Sequence, residues 1–184
     1  MRYMALILAL LLAACGGESF HMTDISGAMP RLSFHMTRAS DGAAVSGESY
    51  RGKVVLLYFG YTNCPDVCPA TLANIAGMLA KMQSKEVQIL FVTVDPNRDT
   101  PTALKQYVAA FSPQIEGLRG SDNALVDVAR RYRVAYSVDR GPPYTVMHSN
   151  AVFVFDREGR IRLVTTNTDD VAGMADDVEK LLNG

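Results

Sequence analysis

Lys53-Val54-Val55-Leu56-Leu57-Tyr58-Phe59 leads without a break into Gly60-Tyr61-Thr62-Asn63-Cys64-Pro65-Asp66-Val67-Cys68-Pro69. The first seven positions are mostly β-branched or apolar one after another instead of alternately, the pattern of a strand covered on both faces. A central strand is expected here. Beyond the cysteines, Leu72, Ile75, Ala76, Leu79 and Met82 fall on one stripe of a helix over Pro69–Met82. Both sulfurs are therefore expected at the carboxyl end of a central strand, where open α/β sheets carry their sites. A helix N-terminus brings free amides and the positive end of a dipole near the sulfurs, so at least one thiol is expected to ionise more easily than free cysteine.

Working outward, the same continuous apolar character recurs at Val87–Val94 and Ala151–Phe155, while Ile161–Thr165 ends in polar residues and is expected nearer an edge. Helical patterns cover Pro101–Phe111, Asp122–Tyr132 and Asp169–Leu182, with Thr100-Pro101 and Ser121 as helix starts. Asp156-Arg157-Glu158-Gly159 reads as the turn of a hairpin. Ahead of the central strand, Leu32, Phe34 and Met36 alternate with Ser33, His35 and Thr37, and Asp41-Gly42 then supplies a turn, which predicts an N-terminal β-hairpin. Each parallel crossover must cover the sheet with its helix. The class is α/β: a mixed sheet with helices on both faces, without internal repeats.

The two cysteines are four positions apart, one more than in Cys-x-x-Cys motifs. In a regular helix such positions lie about 6 Å apart at Cα and on one face. Near-parallel side chains at that separation make an awkward disulfide, which needs sulfurs about 2.05 Å apart. A metal ion bonded to both sulfurs tolerates a gap of roughly 3.7 Å. Pro65 and Pro69 both resist mid-helix positions, which points instead to a turn before the helix and keeps a disulfide open. Two sulfurs leave a metal undercoordinated, and three histidines are available to complete it. His21 falls in a segment without periodicity and His35 on the outward phase of the hairpin, and both read as solvated. His148 ends Gly141-Pro142-Pro143-Tyr144-Thr145-Val146-Met147 just before an apolar strand, in a loop that this topology can bring back over the cysteines.

At the N-terminus, Arg2 precedes an apolar stretch, Tyr3 to Ala14, about half the roughly 20 residues a spanning helix needs. It reads as a signal peptide over 1–14. Leu12-Ala13-Ala14-Cys15 resembles a bacterial lipobox, which makes Cys15 the expected lipid attachment point. Residues 15–29 then form a tether, with little fixed structure expected over Glu18–Ala28, and 30–184 form the domain. That places the domain outside the cytoplasm, lipid-anchored to a bacterial membrane and facing the periplasm. The 184 residues are 48% hydrophobic, ample for one core. With 18 basic residues against 19 acidic ones and no run of either sign, nucleic acid is not an expected partner.

Four blocks in order carry a resemblance across residues 32 to 182. They are Phe59-Gly60-Tyr61-Thr62-Asn63-Cys64-Pro65-Asp66-Val67-Cys68-Pro69; Val94-Asp95-Pro96-Asn97-Arg98-Asp99-Thr100-Pro101; Tyr132-Arg133-Val134; and His148-Ser149 before the strand ending Phe155-Asp156. Together they resemble the Sco/SenC family. The resemblance implies a thioredoxin-like fold in a membrane-tethered copper metallochaperone that serves the binuclear copper site of cytochrome c oxidase. Its partners would be the copper-bearing oxidase subunit and other copper chaperones. It also implies Cys64, Cys68 and His148 as copper ligands, and the chemistry agrees: thiolates suit Cu(I) and an added imidazole allows Cu(II). Met147 departs from the family, which often carries an acid before the histidine. It is read as packing instead of ligating.

The Asp95–Pro101 block reads as a capped start to a helix with Asp95 fixing a turn, and Arg98 and Asp99 as candidate contacts for a receiving partner. Met22, Met29 and Met36 with His21 and His35 form a soft-ligand grouping, but Met36 is better explained as hairpin core and Met29 precedes Pro30 at the domain entrance. The alternative function is an extracytoplasmic thiol-disulfide reductase exchanging through Cys64 and Cys68 to keep copper-site cysteines reduced. A peroxidase on the same fold needs an arginine-supported cysteine and peroxide turnover. A purely structural interaction domain leaves two extracytoplasmic thiols without a role. Turnover chemistry is not expected of the leading reading.

Overall fold

The apolar run after Lys53 forms a strand in which all seven residues are buried, and the chain builds outward from it. The structure is a computed structural model that describes residues 19–184. The signal-peptide reading and Cys15 lie outside the described residues. In chain order the strands are β1 (Thr23–Asp24), β2 (His35–Arg38), β3 (Ala44–Ser46), β4 (Val54–Gly60), β5 (Val87–Thr93), β6 (Ile115–Arg119), β7 (Tyr136–Asp139), β8 (Thr145–His148), β9 (Val152–Phe155) and β10 (Ile161–Thr165). The helices are α1 (Val67–Met82) between β4 and β5, α2 (Pro101–Ala109) between β5 and β6, α3 (Asp122–Arg131) after β6, and α4 (Val171–Asn183).

Eight strands make one mixed sheet in the order β1-β10-β9-β4-β5-β6-β2-β3, while β7 and β8 pair only with each other. β4, β5 and β6 run parallel, and β9 lies antiparallel to β4. The expected central strand is central. Helices cover both faces: the Tyr107 ring of α2 packs on Phe91 and α1 packs with α4, whereas Tyr132, at the end of α3, stacks its ring on Phe153 and Phe155 across the sheet. Thr100 and Ser121 cap their helices by accepting from Ala103 and Ala124 amides, as their positions predicted.

Two elements of the main sheet were not expected. Ile115-Glu116-Gly117-Leu118-Arg119 lacks a continuous apolar run, yet it forms β6. Gly117 is required there because a Cβ would come within 2.6 Å of Leu104, which packs α2 against the strand. The second is the segment expected to lack fixed structure. From Ser19 onward it is docked: Thr23 and Asp24 pair with Val164 and Leu163 as β1, and Met22 is buried in the core. The wholly buried Asp177 carboxylate of α4 accepts the amides of His21 at 3.1 Å and Met22 at 2.7 Å. A buried carboxylate needs such donors, so the segment is held by a need of the core. It covers β10, which is accordingly next to the edge and not at it. Among the described residues, no helix is long and apolar enough to cross a membrane.

Candidate metal centre

β4 ends at Gly60, and the chain turns through Tyr61–Asp66 into α1. The turn is tied by the Cys64 amide, which donates to the Tyr61 carbonyl at 3.3 Å. It is also tied by Asp99, whose carboxylate accepts the Thr62 amide at 3.0 Å and the Thr62 hydroxyl at 2.6 Å. Helix α1 begins two residues before Pro69. Proline is tolerated in the first turn because the first four amides of a helix have no intrahelical acceptor. Cys64 therefore lies in a turn, as the two prolines suggested for the pair, whereas Cys68 is already on the helix as its second residue. The Cys68 amide donates to the Cys64 sulfur at 3.4 Å. Both cysteines are free thiols.

Cys68 is wholly buried and Cys64 partly so. Room for Cys68 comes from Gly60, where a Cβ would meet the Phe91 ring at 2.6 Å and the Cys68 sulfur at 3.0 Å. Burial raises the Cys64 thiol, but the amides of Cys68 and Asp66, the Cys68 thiol and the Tyr61 hydroxyl bring it below the ordinary thiol value. Burial pushes the Cys68 thiol up to about 12. One thiol is thus held below its ordinary value, as expected, and its neighbour above it. In reduced, metal-free protein at neutral pH, Cys64 is expected to alkylate faster than free cysteine and Cys68 only on unfolding. Mass-spectrometric timing of labelling checks this, and equal rates at the two sites contradict it.

His148 arrives from a distance of 80 residues, at the end of β8 and opposite Tyr136 in register. Its Nε2 lies 3.3 Å from the Cys68 sulfur, and its Nδ1 lies 2.9 Å from the Ser149 carbonyl. A carbonyl only accepts, so Nδ1 donates to it, which in the neutral ring leaves the Nε2 lone pair facing the sulfurs. The rings of Tyr58 and Tyr61 stand edge-on to the imidazole at 6.2 and 5.8 Å between centroids. Among the described residues, Cys64, Cys68 and His148 are the one group of three or more His, Cys, Asp or Glu side chains close enough to share an ion. Their ligand atoms lie within 4.8 Å of one another. Bonds of about 2.3 Å to sulfur and 2.0 Å to nitrogen need donor separations of about 3.5–4.0 Å, so a small closing movement suits the three to one tetrahedral or trigonal ion.

The other candidates are dispersed. His35 is exposed on the hairpin, and His21 is exposed beside Asp170 and Asp176. Met22 and Met36 are buried in the core, so they do not form a collecting surface with these histidines. Met147 does not pack: it is 71% exposed, because β8 belongs to a hairpin outside the main sheet. With Val67, Cys64 and His148 it lines a depression of about 390 Å³. Asp99 is not available to a partner, being wholly buried, since its carboxylate is spent on Thr62 and Thr93. Asp95 does fix a turn: its carbonyl accepts the amides of Arg98 and Asp99 at 3.2 and 3.0 Å. Sequence reasoning missed the aromatic walls. Tyr58 and Tyr61 flank the cysteine turn in sequence, which was the available signal.

A central strand running out into a thiol pair at the head of a helix, with the sheet closed by an antiparallel pair and a last helix, is the plan of thioredoxin-like domains, and the chain is of that class. Its blocks narrow the class further. The SCO1/SenC family model matches residues 27–183, and the chain belongs to that family. It is 42% identical over 117 residues to the mitochondrial SCO2 homolog of Bos taurus, a match covering 60% of this chain and 44% of that protein. The chain spans about half the length of the curated relatives it matches. Among solved structures, Bradyrhizobium japonicum ScoI with copper bound is 35% identical with a TM-score of 0.75, covering 83% of this chain and 99% of that one. Apo Sco1 from Thermus thermophilus is 34% identical with a TM-score of 0.79, covering 91% and 99%.

Proposed function

We propose that this chain is a copper metallochaperone that holds one ion through Cys64, Cys68 and His148. It would be tethered by a lipid on Cys15 to a bacterial membrane, facing the periplasm, and would pass the ion to the copper-bearing subunit of cytochrome c oxidase. Other copper chaperones would supply the ion. The observation that carries the reading is the convergence of two sulfurs and an imidazole nitrogen within 4.8 Å. Thiolates bind Cu(I), and the imidazole extends the set to Cu(II), so the ion can be held in either state. Binding requires both sulfurs as thiolates, and a bound cation supplies the charge that deprotonates even the resistant Cys68. The depression beside Cys64 leaves the ion approachable by a receiving ligand set. Copper titration of the reduced protein is expected to give thiolate-to-copper charge-transfer absorption, lost in Cys64→Ser and in Cys68→Ser. A spectrum that survives both substitutions removes the proposal.

A second reading, thiol-disulfide exchange, is favoured by one specific feature. Cys64 is the more accessible and more acidic thiol and Cys68 the buried, resistant one, the division expected of an attacking and a resolving cysteine. In that role Cys64 would attack a partner's disulfide and Cys68 would release the mixed disulfide. It would serve to keep copper-site cysteines reduced, and it uses no imidazole.

A further inference from the structure

The hairpin β7–β8 that carries His148 stands outside the main sheet, with alternate residues of both strands exposed. A lone two-stranded hairpin is marginal in water, so something must hold it. At its root the Ser149 amide donates to the Ala135 carbonyl at 2.9 Å, and the Asn150 side chain donates to the Thr166 carbonyl at 3.0 Å. Toward its tip, four residues before His148, the Tyr144 hydroxyl donates to Asp95 Oδ1 at 2.7 Å. The Arg98 guanidinium lies 3.8 Å over the Tyr144 ring while its Nε donates to Asp95 Oδ2. Asp95 is wholly buried, so it is a fixed post.

We propose that Tyr144 and Arg98 are positioning residues that latch the hairpin to Asp95 and thereby set the His148 imidazole against the two sulfurs. The same short segment grips the other half of the site, because Asp99 holds Thr62 in the cysteine turn. Asp95 to Asp99 is therefore a bracket with one carboxylate tied to the hairpin and the other to the cysteine turn, fixing the spacing of thiols and imidazole. Arg98 extends the contact inward. Its guanidinium carbon is 5.9 Å from the centre of the Tyr61 ring, and that ring stands edge-on to His148. Releasing the latch lets the hairpin pivot on its root and withdraw one ligand of three, the step a receiving site needs to take the ion.

The copper part of the inference rests on the reading above, and the test separates the two. Tyr144→Phe keeps the stacked ring and removes the hydroxyl, and Arg98→Met removes the stack. Both residues are half-buried, Tyr144 beside β8 and Arg98 on the segment that faces it. In the reduced, metal-free full chain, amide hydrogen exchange over 136–148 is expected to quicken about tenfold in Tyr144→Phe, the effect of losing a hydrogen bond to a charged acceptor. Exchange in β4 and β5 is expected to stay unchanged. With copper added, release to a chelator is expected to quicken by about the same factor, and the charge-transfer band to shift. Unchanged exchange over 136–148 in both variants overturns the latch, as does acceleration spread evenly over the whole sheet. If the wild-type chain takes up no copper, the metal reading falls and the exchange result alone decides the latch.

Discussion

His148→Ala is expected to weaken copper binding by roughly a hundredfold or more, beyond the 10- to 100-fold that loss of an outer partner of a metal ligand costs. Disulfide exchange through Cys64 and Cys68 is expected to stay near the wild-type rate. The split follows from the geometry. Nε2, at 3.3 Å from the Cys68 sulfur, is the one nitrogen of the trio, so its removal leaves a two-sulfur site. Exchange needs an accessible thiolate at Cys64, which the amides of Cys68 and Asp66 stabilise without help from the ring. The fold is expected to survive, since edge-on contacts of the imidazole with Tyr58 and Tyr61 contribute about 0.5–1.5 kcal/mol each. Chelator competition beside reduction of a small disulfide measures both quantities. Copper held as tightly by the variant as by the wild type would falsify the three-ligand site.

The second large effect concerns a residue that touches no ligand. Asp99→Ala removes the acceptor of the Thr62 amide, the Thr62 hydroxyl and the Thr93 hydroxyl, which lie 3.0, 2.6 and 2.5 Å from its oxygens. Two donors of the part-buried Thr62 and one of the buried Thr93 then lose their partner, at about 1–3 kcal/mol for each that stays unsatisfied. A loss of about 3 kcal/mol or more is expected, which lowers the melting temperature by roughly 6–12 °C in a domain of this size. The cysteine turn is expected to loosen with it, so copper affinity falls together with stability. Asn, which keeps one accepting oxygen, should lie between. Urea unfolding of the reduced protein reads the effect, and a loss below about 1 kcal/mol contradicts the assigned role of the carboxylate.

How much of this was legible beforehand depended on whether a residue's role is local. β4 and β5 announced themselves because both faces are covered, which demands apolar residues at every position. The capped helices did so too, because Thr100 and Ser121 act on amides three residues away. β6 was silent: its glycine is dictated by Leu104 on another element, and two of its five residues are the charged Glu116 and Arg119. The hairpin of β7 and β8 was read as a loop because neither strand enters the main sheet, so neither needs an apolar run. Asp99 was read as a contact for a receiving partner, and Asp177 was not singled out. Their partners lie 37 and 155 residues away for Thr62 and Met22, a separation that no local pattern encodes. The cysteine pair was visible as chemistry, whereas the meeting of His148 with it came from the family resemblance and from topology.

The docked N-terminal segment sets where the protein can be cut. A chain shortened to begin at Pro30, the start that composition suggests, loses Met22 from the core and takes two amide donors from the Asp177 carboxylate. It also uncovers the outer side of β10, which β1 pairs at Val164 and Leu163. A bare strand edge is a template for pairing with another copy. Such a truncation is expected to self-associate through β10, and sedimentation would find dimers where a chain that keeps residues from Ser19 onward stays monomeric.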